Sequence, residues 1–136
     1  MKKIISALLV CVLLVGCMFV LASCGGPNSD PAKALAALKD KDYLAAEDKL
    51  VIPNILKGLG AKGVETLVSG TKKDDEGYVQ TVTIVYFEDA ASANESWDAV
   101  KDYADDKKEG EDSQWVVAKS GAMIYWGTKQ AVADAA

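Results

Sequence analysis

Histidine is absent from this chain, and its three cysteines, Cys11, Cys17 and Cys24, all lie within the first 24 residues. Nucleophilic catalysis by a Ser-His or Cys-His pair needs an imidazole to take the proton, so beyond residue 24 neither pair exists. A Ser-Lys pair is formally open, with Ser69, Ser96 or Ser120 as nucleophile, but no spacing singles one of them out. Paired carboxylates hydrolyse glycosides when held about 5–10 Å apart. Here the acidic residues gather in two runs, Asp74-Asp75-Glu76 and Asp105, Asp106, Glu109, Glu111 and Asp112. Such runs read as solvated faces. Neither has the alternating oxygens, central Gly and closing Glu of an EF-hand, and zinc sites built on His or Cys are ruled out. No metal and no cofactor is expected.

Two weaker signals stand beside these. Gly58-Leu59-Gly60-Ala61-Lys62-Gly63 contains Gly-x-Gly-x-x-Gly, but it follows a helix-like segment. The dinucleotide fingerprint needs a strand before it and a helix after it, so the pattern reads as a helix stop and a turn. Among the aromatics, Trp97 falls on a helical stripe and reads as core, while Trp115, Tyr125 and Trp126 fall on a C-terminal hairpin. Consecutive strand residues point to opposite faces, so one of Tyr125 and Trp126 is expected outside the core. Trp115, Tyr125 and Trp126 are therefore the candidate binding surface. The rival reading is that the last helix covers them.

The N-terminal segment carries a different chemistry. Met1-Lys2-Lys3 is basic, residues 4 to 22 carry no charge, and small residues precede Cys24. A basic start, an apolar segment and a small-residue cut site make a secretory signal. Leu21-Ala22-Ser23-Cys24 resembles the lipobox of bacterial lipoproteins. That resemblance covers the first quarter of the chain and implies cleavage between Ser23 and Cys24 by signal peptidase II. It further implies a diacylglyceryl group on the Cys24 sulfur, with acyl chains of the palmitate kind. Two alternatives stay open. The 19 residues from 4 to 22 are close to the length that spans a bilayer uncut, and Leu14-Val15-Gly16-Cys17 also fits the lipobox. Cys24 is favoured because Gly25-Gly26-Pro27-Asn28-Ser29 follows at once as a flexible polar tether. Two acyl chains hold a protein stably where one holds it marginally, so the domain is expected to need no membrane-binding surface of its own.

Composition narrows the partners. The chain has 15 lysines, no arginine and 20 carboxylates. Loss of Lys2 and Lys3 with the leader leaves 13 lysines and a net charge of about −7 on 113 residues. Nucleic acid and anionic lipid are poor partners for such a surface. A basic patch is still conceivable, but Lys72-Lys73 and Lys107-Lys108 sit beside carboxylates.

These residues need elements to position them. The expected division is a signal over 1–23, a lipidated Cys and tether over 24–29, and one globular domain over 30–136. Asp30-Pro31 starts a helix to about Asp40. Tyr43–Ala46 reads as a strand, or else as a continuation of that helix. Pro53 opens a helical turn or two, ended by Gly58, Gly60 and Gly63. Val64–Ser69 is a strand, Gly70–Gly77 a solvated hairpin loop, and Val79–Phe87 the strongest strand, rich in β-branched and aromatic residues. Ala90, Ala93, Trp97, Val100 and Ala104 make an amphipathic helix. Asp105–Asp112 reads as a loop. Gln114–Ala118 and Ala122–Trp126 form a hairpin about Lys119-Ser120-Gly121, and Gly127-Thr128 caps a last helix over Lys129–Ala135. The class is α+β: an antiparallel sheet with helices on one face, in ferredoxin-like split βαβ order, with the added last strand on the sheet edge.

The functional expectation is an exported, lipid-anchored envelope protein on the extracytoplasmic side of the cell membrane. It is a non-enzymatic binding or accessory module for a protein or small ligand. The alternatives are an envelope hydrolase using Ser-Lys or carboxylates, and a structural subunit of a membrane complex.

Overall fold

A computed structural model describes residues 26–108 and 114–136. The leader, Ser23, Cys17 and Cys24, and the tail of the second acidic run lie outside the described residues.

Asp30 opens helix α1 (Pro31–Asp40): its carboxylate accepts the Ala32 N–H at 2.9 Å, and Pro31 fills the first turn. Asp42 turns the chain with φ 67° into strand β1 (Leu44–Asp48), so the strand reading of Tyr43–Ala46 holds in substance. Helix α2 (Val51–Gly58) begins before Pro53 because Asp48 caps it. The Asp48 side chain accepts the N–H groups of Leu50, Val51 and Ile52 at 2.8–2.9 Å, satisfying donors that a helix start leaves free.

Strand β2 (Val64–Lys73) runs four residues past the expected end at Ser69, and β3 (Val79–Phe87) matches its expected bounds. The expected loop thus shrinks to a tight turn over residues 74–77. Asp74 organises that turn by accepting the Glu76 and Tyr78 N–H groups, and Gly77 supplies the positive φ of 90°. Helix α3 (Ala90–Asp106) is capped by Asp89 through the Ser92 N–H at 2.7 Å. It extends two residues into the first part of the acidic run, Asp105 and Asp106, where Lys101 and Asp105 pair at 2.8 Å. Strands β4 (Trp115–Ser120) and β5 (Met123–Thr128) keep Lys119 and Ser120 in the ladder and turn on Gly121-Ala122. Helix α4 (Lys129–Asp134) closes the chain. Its expected cap, Thr128, instead turns its hydroxyl to the β3 backbone, accepting the Thr81 N–H at 3.2 Å.

The sheet order is β1-β2-β3-β5-β4, with every neighbouring pair antiparallel. The α+β class and the antiparallel sheet stand, and the succession of elements along the chain is the expected one. Three finer expectations give way. Only β3-α3-β4 is a split βαβ unit; β1 and β2, joined by α2, are adjacent and antiparallel. The added strand β5 fills the split and is interior, so the edges are β1 and β4.

The third correction is that helices lie on both faces. α1 and α4 pack with Tyr43, Val68, Val82, Ile84, Tyr86 and Tyr125. α2 and α3 pack with Leu67, Val85, Phe87, Ile124 and Trp126. The cause is in β3 itself. Val82, Ile84 and Tyr86 on one face and Val85 and Phe87 on the other are all buried, and a strand apolar on both sides needs cover on both.

Candidate functional site

Four separate segments meet where β3 begins: the α1–β1 loop, the β2–β3 hairpin, the start of β4 and helix α4. Together they bound a groove of about 990 Å³ on the α1/α4 side. Tyr43 enters from the loop, with its backbone N–H on Leu38 O at 3.0 Å. Its hydroxyl donates to Asp134 at 2.7 Å. Asp134 also accepts the Gln130 amide at 2.9 Å and faces the Lys41 ammonium at 3.6 Å. Lys72 and Gln80 are cross-strand partners on β2 and β3 and share that face. The Lys72 ammonium donates to Lys41 O at 2.9 Å and lies 5.1 Å from the Tyr43 ring centre. The Gln80 amide donates to the second oxygen of Asp74 at 3.0 Å.

The electrostatics follow from these partners. Burial pushes the Tyr43 phenol well above its ordinary range, and the Asp134 hydrogen bond and charge push it further. Its proton is therefore held, and Tyr43 is a fixed donor with no capacity as a base near neutrality. Asp74 is held below the usual carboxylate range, first by the Gln80 amide and then by the turn N–H groups. Lys41, Lys72, Asp74 and Asp134 are all paired with neighbours in the groove wall. What the groove leaves open are the exposed groups of Glu76, Tyr78 and Gln114. A shallower hollow of about 520 Å³, lined by Leu44, Thr71 and Val79 among others, lies on the opposite side of the same hairpin.

The residues singled out from sequence sit elsewhere. Tyr125 and Trp126 do point to opposite faces of β5, but both are buried, at 8% and 3% exposure. With helices on each face, neither is left outside, so the expectation of one exposed ring fails. Trp126 packs edge-on against Tyr103, with ring centres 5.9 Å apart. Trp115 is half-buried on the α2/α3 side, its indole N–H buried without an acceptor. The three aromatics thus form no common surface, although Gln114, beside Trp115, does line the groove.

Ser96 is fully buried; its hydroxyl accepts the Lys62 N–H at 2.8 Å and donates to Lys62 O at 3.2 Å. It touches the lysine backbone rather than the amine and ties the α2–β2 turn to α3. Ser69 is half-buried on β2 and Ser120 exposed at the β4–β5 turn. Gly58, Gly60 and Gly63 lie at the end of α2 and in the turn leading to β2, as their spacing implied. Among the described residues, no group of three or more His, Cys, Asp or Glu is placed to hold a metal ion. Likewise, no described helix is long and apolar enough to cross a membrane.

No family model, curated protein or solved structure matches this chain. The groove residues had no sequence signal of their own: Tyr43 and Asp134 are 91 positions apart. The one legible clue was Asp74 ahead of Gly77, the composition of a tight turn. It would have shortened the hairpin loop and carried Lys72 and Gln80 into the sheet.

Proposed function

We propose that this chain is an exported protein, lipid-anchored through Cys24 to the extracytoplasmic side of the cell membrane, and that it acts as a non-enzymatic binding module. The groove beside the β2–β3 hairpin receives the ligand. One observation carries the binding reading: Lys41, Lys72, Asp74 and Asp134 are taken up by neighbouring groups of the groove wall, while the Gln114 amide, the Glu76 carboxylate and the Tyr78 ring remain open. Tyr43–Asp134 and Gln80–Asp74 build the wall. The exposed Tyr78 ring and the Gln114 amide face whatever enters. Amides and carboxylates match hydroxyl groups, and an open aromatic face matches the C–H face of a sugar ring. The fitting ligand is a neutral, hydroxyl-rich saccharide fragment. The anchor reading is supported by the apolar leader and Leu21-Ala22-Ser23-Cys24.

Two experiments test the two halves. Growth with an alkyne-tagged fatty acid is expected to label the wild type and Cys17→Ala but not Cys24→Ala; label on Cys24→Ala refutes the anchor site. Saturation-transfer NMR with oligosaccharide fragments is expected to show contact that Tyr78→Ala abolishes. Contact that survives that change, or none with any saccharide, refutes the groove as the binding site.

A further inference from the structure

We infer that helix α2 and its flanks form a membrane-contacting surface that lies on the headgroups of an anionic bilayer. A helix that is apolar all round is normally buried. α2 buries Pro53 and Leu56 against the sheet and α3, yet large apolar side chains also stand on its outer side beside Asn54 and Lys57. Leu50, Val51, Ile55 and Leu59 are exposed by 71%, 67%, 45% and 54%. Four of the seven large hydrophobic residues exposed among the described residues thus fall in one ten-residue stretch.

Charge selects the occupant. Residues 49–62 carry Lys49, Lys57 and Lys62 and no carboxylate, in a chain whose net charge is −5. All three lysines are exposed, and among the described residues none forms an ion pair. Of the carboxylates just before them, Asp48 is taken up by capping α2, and Glu47 accepts the Thr66 hydroxyl at 2.8 Å. Apolar side chains among lysines, without carboxylates, are the composition of a helix lying in a lipid interface. The apolar residues enter the acyl boundary, and the lysine stems reach back to the headgroups. An acidic protein would satisfy the lysines but not the four bare aliphatic side chains between them.

The chain's entry point agrees. Asn28 is fixed to the domain, its N–H on Ala135 O at 2.9 Å and its carbonyl accepting the Tyr86 hydroxyl at 2.7 Å. Only four residue steps separate Asn28 from Cys24, a reach of at most about 14 Å. Tyr86 is next to the last residue of β3, at the sheet end where β1 runs into α2 and α2 into β2. The groove lies at the other end of β3, six residues away at Gln80, or roughly 20 Å. α2 and the tether thus lie toward one end of the sheet, the tether on the α1/α4 face and α2 on the other.

The inference does not require Cys24 to be acylated, and its test keeps the two apart. The full chain with Cys11, Cys17 and Cys24 changed to Ser is held on vesicles by its own apolar leader. A bimane label is placed at Ile55→Cys or, as control, at Asp75→Cys on the hairpin tip. The vesicles carry an acyl-chain nitroxide lipid and are made of phosphatidylcholine with or without phosphatidylglycerol. The label at 55 is expected to be quenched in the anionic vesicles and the label at 75 to remain bright. Lys49→Gln, Lys57→Gln and Lys62→Gln, which each remove one charge, are each expected to lower the contacting fraction's equilibrium constant roughly fivefold; these side chains are exposed, so the fold is retained. An unquenched label at 55, quenching indifferent to the lysine changes, or energy transfer between two copies labelled at 55 overturns the inference, the last in favour of a dimer.

Discussion

Gly127 leaves no room for a side chain between β5 and β3, and Gly127→Ala isolates the consequence. Gly127 sits in β5 opposite Val82 of β3 and Val116 of β4. Its φ is 151°, and a Cβ added there would lie 2.2 Å from Thr81 O and 2.7 Å from the Val82 Cα. Both neighbours are backbone in a central strand, so no side chain can swing away. The unfavourable φ costs about 1–2 kcal/mol for a residue with a Cβ. Forcing β3 and β5 apart adds about 1–3 kcal/mol, as overpacking does. The expected loss is about 2–5 kcal/mol, a large share of the roughly 5–15 kcal/mol that holds a domain folded. Gly77→Ala is the control: its φ is 90°, but nothing lies within 4 Å of an added Cβ, so only the conformational cost of about 1 kcal/mol applies. Urea denaturation followed by the fluorescence of buried Trp126 reads both. With a slope of about 1.5 kcal/mol per M, Gly127→Ala should shift the midpoint by about 1–3 M and Gly77→Ala by less than about 1 M. Equal shifts for the two variants would refute the steric reasoning and leave only backbone strain.

Ser96→Ala strips partners from the buried Lys62 N–H and carbonyl and should cost about 1–3 kcal/mol, with faster hydrogen exchange at residues 60–63. An unchanged urea midpoint would show that the turn is held by other means. Asp48, Asp74 and Asp89 are held below the ordinary carboxylate range by Ile52, Gln80 and Ser92 respectively, among other donors. Their contribution is therefore complete above the unfolded value of about 3.9 and is lost as pH falls through the lower folded values. Stability against urea should fall steeply below about pH 4. Asp48→Ala should be about 1 kcal/mol weaker at neutral pH and flatter in acid; parallel profiles would sink the assignment.

The phenols of Tyr43, Tyr86 and Tyr125 are all raised, chiefly by burial. Stability from these groups is present below the unfolded value of about 10 and declines above it. Their phenolate absorbance should appear only together with the loss of Trp126 fluorescence. Phenolate growth from these three before unfolding would contradict their buried placement.

The contrast between chain and fold runs along identifiable residues. Asp30-Pro31 announced its helix because an N-cap acts on donors only two or three residues away. The β-branched run of Val79–Phe87 announced its strand for the same local reason. Asp48 was missed as a cap since Pro53 drew the helix start to itself, and Lys72 and Lys73 were taken for loop because charge in an edge-exposed hairpin looks like solvent.

By itself the sequence determined the α+β class, the absence of His from the whole chain, and the uncharged, largely apolar run over residues 4–22 that ends just before Ser23-Cys24. These rest on residue types and short-range periodicity, which need no partner to be read. Only the tertiary structure decided that both sheet faces are covered, that Tyr125 and Trp126 are consumed by the core, and that Tyr43, Lys72 and Asp134 wall one groove. The same holds for the bare outer side of α2. Those outcomes depend on which strand lies beside which, and strand order is set by the summed burial of distant segments rather than by any local signal.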